Sequence, residues 1–201
     1  MSAAAERPSP HPEPPVDLRD RPMPLITLQV SWFRIHGTIH APLYYGSTGI
    51  NRFDSPQQDY GVMYVARAPQ GAFIETFGNQ TGIRVVATPE LSLRSMSELI
   101  SQRGLQLVDL TGPGLAQLGA DGRLATGDHR LAQRWAHALW SHPAPVDGIY
   151  YPARHDLSQP CAALFDRVQA VIEVAHTQPC MSRGFSHKLA SILDTYQFGL
   201  I

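Results

Sequence analysis

Residues 49–77 of the chain read GINRFDSPQQDYGVMYVARAPQGAFIETF. The run GVMYVA at 61–66 is apolar and is bounded by turn residues, which predicts a buried strand. Pro69 then opens a helix, because proline is tolerated in a first helical turn, and Glu75 falls in the middle of that helix among apolar neighbours. The residues before the strand, 44–59, are rich in Gly, Asp, Ser and Pro and predict a long loop. A loop, a strand and a helix thus follow one another here.

Three side chains of this unit carry chemistry: Arg52 in the loop, Tyr64 on the strand and Glu75 on the helix. A guanidinium group matches a phosphate bidentately, an aromatic ring stacks on a flat heterocycle, and a carboxylate stabilises positive charge that develops on a sugar. This combination suits an anionic nucleotide, and we interpret it as a site that cleaves NAD. Structural roles stay open, with Glu75 on the exposed side of an amphipathic helix and Tyr64 as a core aromatic residue.

The remaining chain has many short strand and helix patterns without regular alternation, which favours an α+β domain over a doubly wound sheet. Strands are predicted at 25–37, 84–87, 105–110, 148–151, 161–165 and 170–175. Helices are predicted at 95–101, from an N-cap at Thr111 through Leu118, from an N-cap at Asp128 through Trp140, and at 186–196.

Length and composition limit the possible classes of protein. The 201 residues suit one domain, and a formal net charge of −1 offers no broad basic face for a nucleic-acid backbone. Residues 1–24 are proline-rich and predict a disordered leader, which leaves 25–201 as the folded domain. Two cysteines outside any CxxC spacing indicate reduced thiols, and no apolar run is long enough for a membrane span. We therefore expect a cytoplasmic protein without a direct nucleic-acid or membrane partner.

Common catalytic and nucleotide-binding signatures are missing, including GxGxxG, GxxxxGK[ST], HExxH and GxSxG. His36 and His40 lie near a strand end, where their spacing does not converge on one metal ion. Asp147, His155 and Asp156 have no accompanying nucleophile and predict hydrogen bonding within a loop. Arg154 has a carboxylate as its expected partner, so we leave it out of the predicted site.

Seven blocks along the chain, in their order, resemble the RES domain family. The resemblance covers roughly residues 30–200, and the ordered series is far more specific than any single block. The blocks are FRIHG at 33–37, NRFD at 51–54, GVMYVA at 61–66, AFIETF at 72–77, LVDLTG at 107–112, DGIYYPARHD at 147–156 and ALFDR at 163–167. NRFD replaces the more usual GRWN.

The resemblance implies a fold similar to that of ADP-ribosyltransferases, with short mixed strands in two small sheets and flanking helices. It implies NAD as a substrate, no metal ion and a small Xre-like antitoxin as partner. Carried onto this chain, it makes Glu75 and Arg52 catalytic, and it makes Arg34, Arg52 and Tyr64 the residues that bind NAD. For Arg34 an ion pair with an acid is the structural alternative. One position departs from the family pattern, because Ala153 stands where serine is common, and Ser158 is the nearest substitute in sequence.

Three functions follow as alternatives. The first is a toxin that depletes NAD as a glycohydrolase or phosphorylase. The second is a transferase that attaches ADP-ribose to a cellular protein. The third is a non-catalytic binding module in which Ala153 marks the lost activity. We favour depletion, because the sequence has no extended segment that would dock a protein substrate.

Overall fold

The computed structural model describes residues 11–79 and 82–201. The strands are β1 Leu25–Leu28, β2 Trp32–Gly37, β3 Val62–Ala66, β4 Val85–Val86, β5 Arg94–Ser101, β6 Leu105–Asp109, β7 Gly148–Ala153, β8 Asp156–Phe165, β9 Ile172–Pro179 and β10 Gly199–Leu200. The helices are α1 Pro69–Phe77, α2 Thr88–Ser92, α3 Gly114–Leu118, α4 Arg123–Thr126, α5 His129–Trp140 and α6 Arg183–Tyr196. Short 3-10 helices cover Leu18–Asp20 and Asp166–Val171.

Eight of the strands form one mixed sheet in the order β1-β6-β7-β8-β3-β2-β5-β9. Its neighbours are antiparallel except for the parallel pair of β6 and β7. A second sheet contains β4 and β10, which pair in parallel. The predicted α+β class is confirmed. The two small sheets that the resemblance implied are instead one eight-stranded sheet and one two-stranded sheet, because strands from the whole length of the chain pair side by side.

Strand β3 lies near the centre of the large sheet and is covered on both faces. Val62 and Ala66 belong to one buried cluster, which contains the side chains of α1 and α5, and Tyr64 packs against that cluster. Met63 and Val65 belong to a second cluster on the opposite face. Because successive side chains of a strand point to opposite faces, an apolar strand covered on both faces reads as a continuous apolar run. This explains why GVMYVA was recognisable from sequence.

Two strand predictions were wrong in part, and one predicted helix is a strand. The predicted strand at 25–37 is two strands, since β1 pairs with β6 whereas β2 lies between β3 and β5. The segment predicted as a helix at 95–101 is β5, which is paired along both edges by β2 and β9. Pairing with distant segments overrides local preference in such strands. The strand predicted at 170–175 begins only at β9, after a 3-10 helix.

The helix predictions differ in how well their ends were placed. Asp128 caps α5 as predicted, because its carboxylate accepts hydrogen bonds from the amides of Arg130 and Leu131 at 2.7 and 3.2 Å. Thr111 is not the N-cap of α3, since its amide and hydroxyl both donate to Asp109 instead. Among the described residues, no helix combines the length and the apolar composition that a membrane crossing requires.

The N-terminal segment from His11 to Pro24 packs on the domain, so the prediction of disorder is wrong for these residues. The indole Nε1 of Trp135 donates to the Pro12 carbonyl at 2.9 Å, and Arg134 pairs with Glu13 at 2.6 Å. Leu18 is only 3% exposed and belongs to the main buried cluster. Disorder was predicted from the high proline content of this segment. Composition does not show that a single residue, Leu18, packs into the core. Residues 1–10 of the predicted leader lie outside the described residues.

We expect the substitution Leu18→Ala to lower the free energy of unfolding by about 3 kcal/mol, because it removes a buried side chain and leaves a cavity. Urea denaturation of the purified protein measures this change. Arg19→Ala, at the exposed neighbouring position, is the matched control and should leave the midpoint nearly unchanged. An unaltered midpoint for Leu18→Ala would show that the N-terminal segment does not contribute to the core.

Candidate functional site

One cavity of about 370 Å³ opens beside the centre of the large sheet. Strands β2 and β3 and helix α1 form part of its wall. One residue each of β7 and β8, the turn between these strands, the loop before β3, Asn79 after α1 and the first residue of α5 complete it. All four side chains of the sequence-predicted site line this cavity: Arg34, Arg52, Tyr64 and Glu75. The fold thus brings Arg34 and Glu75, which are 41 positions apart in the sequence, into the same cavity. A volume of this order suits part or all of a small ligand.

Glu75 faces the cavity from α1 and is partly buried. Its Oε1 atom accepts a hydrogen bond from the backbone amide of Arg154 at 2.9 Å. Burial raises the pKa of the Glu75 carboxyl above its usual value, and the Arg154 amide, the charge of Arg52 and hydrogen bonding to Tyr151 offset only part of that effect. The exposed position considered as an alternative is therefore excluded. A carboxylate held in this way is pre-oriented toward the cavity.

Arg52 is almost completely buried, with 8% of its surface exposed, although it lies in a loop. Its Nη1 atom donates to the carbonyl of Gly127 at 2.8 Å, just before α5 begins. Burial lowers the pKa of Arg52, and the nearby charge of Arg154 acts in the same direction, whereas Tyr151 and Glu75 oppose the shift. A desolvated guanidinium group next to a cavity is well suited to bind an anion.

Arg34 enters the cavity from β2 and is held by backbone carbonyl groups. Its Nη1 atom donates to the carbonyls of Pro42 and Tyr44 at 2.8 and 2.9 Å. Within the described residues no carboxylate forms an ion pair with Arg34, so the alternative of an acidic partner is wrong. Because both hydrogen bonds use Nη1, the Nη2 and Nε groups of Arg34 remain available to donate to an anionic ligand.

The Tyr64 ring lines the cavity, whereas its hydroxyl group is occupied by the protein. The hydroxyl donates to Oδ1 of Asp54 at 3.0 Å and accepts from the amide of Phe53 at 2.9 Å. Burial, followed by the charge of Asp54, raises the pKa of Tyr64 well above its usual value. Only the ring of Tyr64 is therefore available to a ligand.

Several cavity residues were missed or set aside in the sequence. Arg154, for which a carboxylate partner was expected, lines the cavity, and its main-chain amide binds Glu75. Tyr151, which precedes Arg154 in the sequence, and His155, which follows it, also line the cavity. The block DGIYYPARHD was a usable signal for this segment. A main-chain contact cannot be read from residue types, which is why the link to Glu75 was not foreseen.

Of the residues predicted to have structural roles, Asp147 and Asp156 have protein partners, whereas the buried Nε2 atom of His155 has no hydrogen-bond partner within the described residues. Asp147 accepts two hydrogen bonds from Arg103 at 2.6 and 2.8 Å, and Asp156 accepts one from the hydroxyl of Tyr196. His36 is hydrogen-bonded to the hydroxyl of Ser97 at 2.8 Å. Within residues 11–79 and 82–201, no group of three or more His, Cys, Asp or Glu side chains is arranged to hold a metal ion.

Ala153 is fully buried and is not part of the cavity wall. The hydroxyl of Ser158 donates to Asp156 at 2.7 Å on the exposed side of β8, so Ser158 does not replace the usual serine. Three wall residues carry a hydroxyl group, but that of Tyr64 is used within the protein and that of Thr76 donates to the Ala72 carbonyl at 2.8 Å, which leaves Tyr151. Tyr151 lines the cavity together with Glu75 and acts to lower the pKa of that carboxyl, so its hydroxyl is the closest chemical substitute in the cavity.

The fold and the cavity define an α+β domain with a ligand site that is lined by arginine side chains and by one partly buried carboxylate. The family model of the RES domain matches residues 31–182, and the chain belongs to this family. The chain is 28% identical over 117 residues to the "Probable toxin y4kH" of Sinorhizobium fredii (strain NBRC 101917 / NGR234), a match that spans 58% of this chain and 90% of the relative.

A solved structure of similar fold is that of the M. tuberculosis MbcT-MbcA toxin-antitoxin complex. The superposition has a TM-score of 0.66 and covers 83% of this chain and 92% of the other. At 16% sequence identity this likeness is one of fold. The resemblance inferred from the seven sequence blocks is confirmed by the family match.

The raised pKa of Glu75 predicts that this residue costs stability at neutral pH. A carboxyl whose pKa is higher in the folded state is less easily ionised there, so its contribution favours folding at low pH and is lost as the pH rises through the folded-state pKa. We expect Glu75→Gln to unfold at a higher urea concentration than the wild type at pH 7. The advantage should shrink as the pH falls below the ordinary glutamate pKa of 4.5. A variant that is less stable than the wild type at pH 7 would contradict this sign.

Proposed function

We propose that this protein is the toxin of a toxin-antitoxin pair and that it cleaves NAD at the bond between nicotinamide and ribose. One observation carries the proposal: the partly buried carboxylate of Glu75 shares a cavity with the guanidinium groups of Arg34 and Arg52. Membership of the RES family and the name of the curated relative, a probable toxin, agree with it. Because NAD is a cytoplasmic cofactor, we propose the cytoplasm as the place of action.

In the proposed reaction the bond between the nicotinamide nitrogen and C1′ of the ribose breaks. Its electron pair passes to the nicotinamide ring, which becomes neutral, and the sugar acquires oxocarbenium character. Glu75 would hydrogen-bond a ribose hydroxyl and stabilise the positive charge that develops. Arg34 and Arg52 would neutralise the pyrophosphate, and the Tyr64 ring would line the nicotinamide pocket. A water molecule, which gives one proton to solvent, or inorganic phosphate would then form the new bond to C1′.

A second candidate is the transfer of ADP-ribose to a cellular protein. Two large apolar side chains lie exposed in the loops that adjoin the cavity, Tyr44 at 57% and Ile50 at 73%. The Tyr44 carbonyl accepts a hydrogen bond from Arg34, and the Ile50 carbonyl is bonded to His129 in the cavity wall. Exposed apolar side chains beside a site suit contact with a protein. The same side chains would equally serve an antitoxin.

We propose a cognate, Xre-like antitoxin as the partner and occlusion of the cavity as the form of inhibition. The similar fold of MbcT was solved in a toxin-antitoxin complex, which supports a partner of this kind. An inserted segment would meet three guanidinium groups, those of Arg34, Arg52 and Arg154, and would exclude NAD. Under this proposal a purified complex releases nicotinamide more slowly than the free chain. Equal rates would refute occlusion.

The test of the proposed function is an analysis of products from NAD labelled on both halves. The antitoxin-free protein is incubated with NAD alone, with added phosphate and with cell lysate. Free nicotinamide with ADP-ribose indicates hydrolysis, a requirement for phosphate indicates phosphorolysis, and a labelled protein band indicates transfer. The absence of nicotinamide in every arm would reject cleavage and would favour a non-catalytic module. The position of Ala153 outside the cavity wall argues against that last outcome.

A further inference from the structure

The loop that carries Arg52 closes around the carboxylate of Asp54, which has no exposed surface. Its Oδ2 atom accepts from the Asn51 amide at 3.0 Å, from the Asn51 side chain at 3.1 Å and from the Thr48 hydroxyl at 3.3 Å. Asp54 therefore binds the residues on the N-terminal side of Arg52. Within the described residues no Lys or Arg forms an ion pair with it, so these hydrogen bonds and that of Tyr64 are what satisfy its oxygens.

Tyr64 connects this loop to the centre of the sheet. Its hydroxyl donates to Oδ1 of Asp54 and accepts from the amide of Phe53, the residue directly after Arg52. A hydroxyl has one hydrogen to donate, and that of Tyr64 is already given to Asp54. Because Tyr64 lies on β3, between β8 and β2, its hydrogen bonds fix the loop to the centre of the large sheet.

The loop is also held from its outer side by α5. The Gln133 side-chain nitrogen donates to the carbonyls of Gly49 and Asn51 at 2.8 and 2.9 Å. The guanidinium group of Arg52 itself donates to the Gly127 carbonyl, two residues before that helix. The main chain around Arg52 is thus bound on both sides, although it has no regular secondary structure.

We propose that Asp54 and the hydroxyl of Tyr64 are positioning residues, which hold the Arg52 guanidinium group at the cavity wall. Neither group needs to touch the substrate for this role. The sequence predicted that Tyr64 contacts the ligand. Two parts of this side chain now have separate roles. Its ring faces the cavity, and its hydroxyl orders the loop. The kinetic consequences rest on the proposed function, whereas the ordering of Arg52 does not.

The substitution Tyr64→Phe tests this inference, because it keeps the ring and removes only the hydroxyl. We expect it to raise KM for NAD about tenfold with a much smaller change in kcat, since a misplaced Arg52 weakens binding of the pyrophosphate. Asp54→Asn should act similarly, because an amide nitrogen cannot accept the hydrogen bonds that a carboxylate oxygen accepts. The double variant should be no worse than the more severe single one, since both substitutions break the same link.

A second readout follows Arg52 directly and does not require activity. Phenylglyoxal modifies accessible arginine side chains, and mass spectrometry of the peptide that contains Arg52 gives the rate without NAD. We expect this rate to increase at least fivefold in Tyr64→Phe, because Arg52 is nearly inaccessible while its loop is ordered. Tyr196→Phe is the matched control, since it removes a tyrosine-aspartate hydrogen bond of 3.0 Å outside the cavity wall.

The outcomes separate this inference from the proposed function. Wild-type protein that fails to cleave NAD would refute the function, and the reactivity of Arg52 would still test the ordering. Unchanged reactivity of Arg52 in Tyr64→Phe would overturn the inference, whatever happens to KM. A raised KM with unchanged reactivity would indicate instead that the hydroxyl acts on the substrate. If Asp54→Asn does not fold, Tyr64→Phe alone decides.

Discussion

Replacing Glu75 by glutamine should lower the rate of NAD cleavage at least ~100-fold, while NAD binding changes by less than ~3-fold. Glutamine keeps the oxygen that accepts the Arg154 amide, so the side chain remains oriented as in the wild type. What it loses is the negative charge that would stabilise the developing oxocarbenium ion. An interaction that is made chiefly in the transition state affects kcat more than the binding of substrate. Single-turnover release of nicotinamide measures the first quantity, and calorimetric titration measures the second.

Glu90→Gln is the matched control for this experiment. Glu90 is exposed on α2, faces Arg94 at 3.8 Å and does not line the cavity. It should therefore cleave NAD at the wild-type rate. If Glu75→Gln also cleaved NAD at that rate, Glu75 would be excluded as the catalytic carboxylate. We expect Glu75→Gln to be more stable than the wild type at pH 7 and to have lost turnover. This combination is typical of a residue that serves function and lowers the stability of the fold.

Replacing Arg52 by lysine should raise KM for NAD about 30-fold, although the positive charge is preserved. A lysine ammonium group cannot bind a phosphate bidentately, and in this cavity it cannot also reach the Gly127 carbonyl in the way the guanidinium fork does. The loss of a charge-assisted hydrogen bond typically amounts to about 2 kcal/mol, which corresponds to this factor. Steady-state kinetics under the acceptor conditions that the product analysis identifies, kept identical for both proteins, provide the measurement.

Arg67→Lys is the control for the loss of a structural arginine contact. Arg67 donates to the Ser31 carbonyl at 3.0 Å, stacks over the Trp32 ring and is not part of the cavity wall. We expect its KM for NAD to equal that of the wild type. Equal values of KM for Arg52→Lys and the wild type would remove Arg52 from the binding site.

The sequence predicted those elements whose stabilising contacts are close in sequence, and it failed for elements that pair with distant strands. Helices α1 and α5 were predictable because Pro69 and Asp128 mark their first turns and because their apolar residues are close in sequence. Strand β5 was not, since Met96, Leu99 and Ile100 recur at helical spacing and only pairing with β2 and β9 shows them to be a strand. Local patterns contain no information on such distant neighbours.

The four predicted site residues meet in one cavity, but their individual roles were only partly readable. The types of side chain indicated an anionic nucleotide. The sequence did not indicate that a backbone amide orients Glu75 or that the hydroxyl of Tyr64 is used within the loop. Both facts depend on main-chain geometry that residue types do not encode. For the same reason, the importance of Asp54 becomes apparent only from its hydrogen bonds.

The cavity wall contains three arginine side chains and one glutamate, whereas the whole chain has a formal net charge of −1. Positive potential is thus concentrated at one opening of an otherwise nearly balanced molecule. Such a distribution attracts anions over roughly the Debye length of about 8 Å at physiological ionic strength. We therefore expect ATP, free phosphate and other abundant cellular anions to compete for the same opening. Occupancy by the proposed substrate would then depend on the anionic composition of the cell as well as on the concentration of NAD.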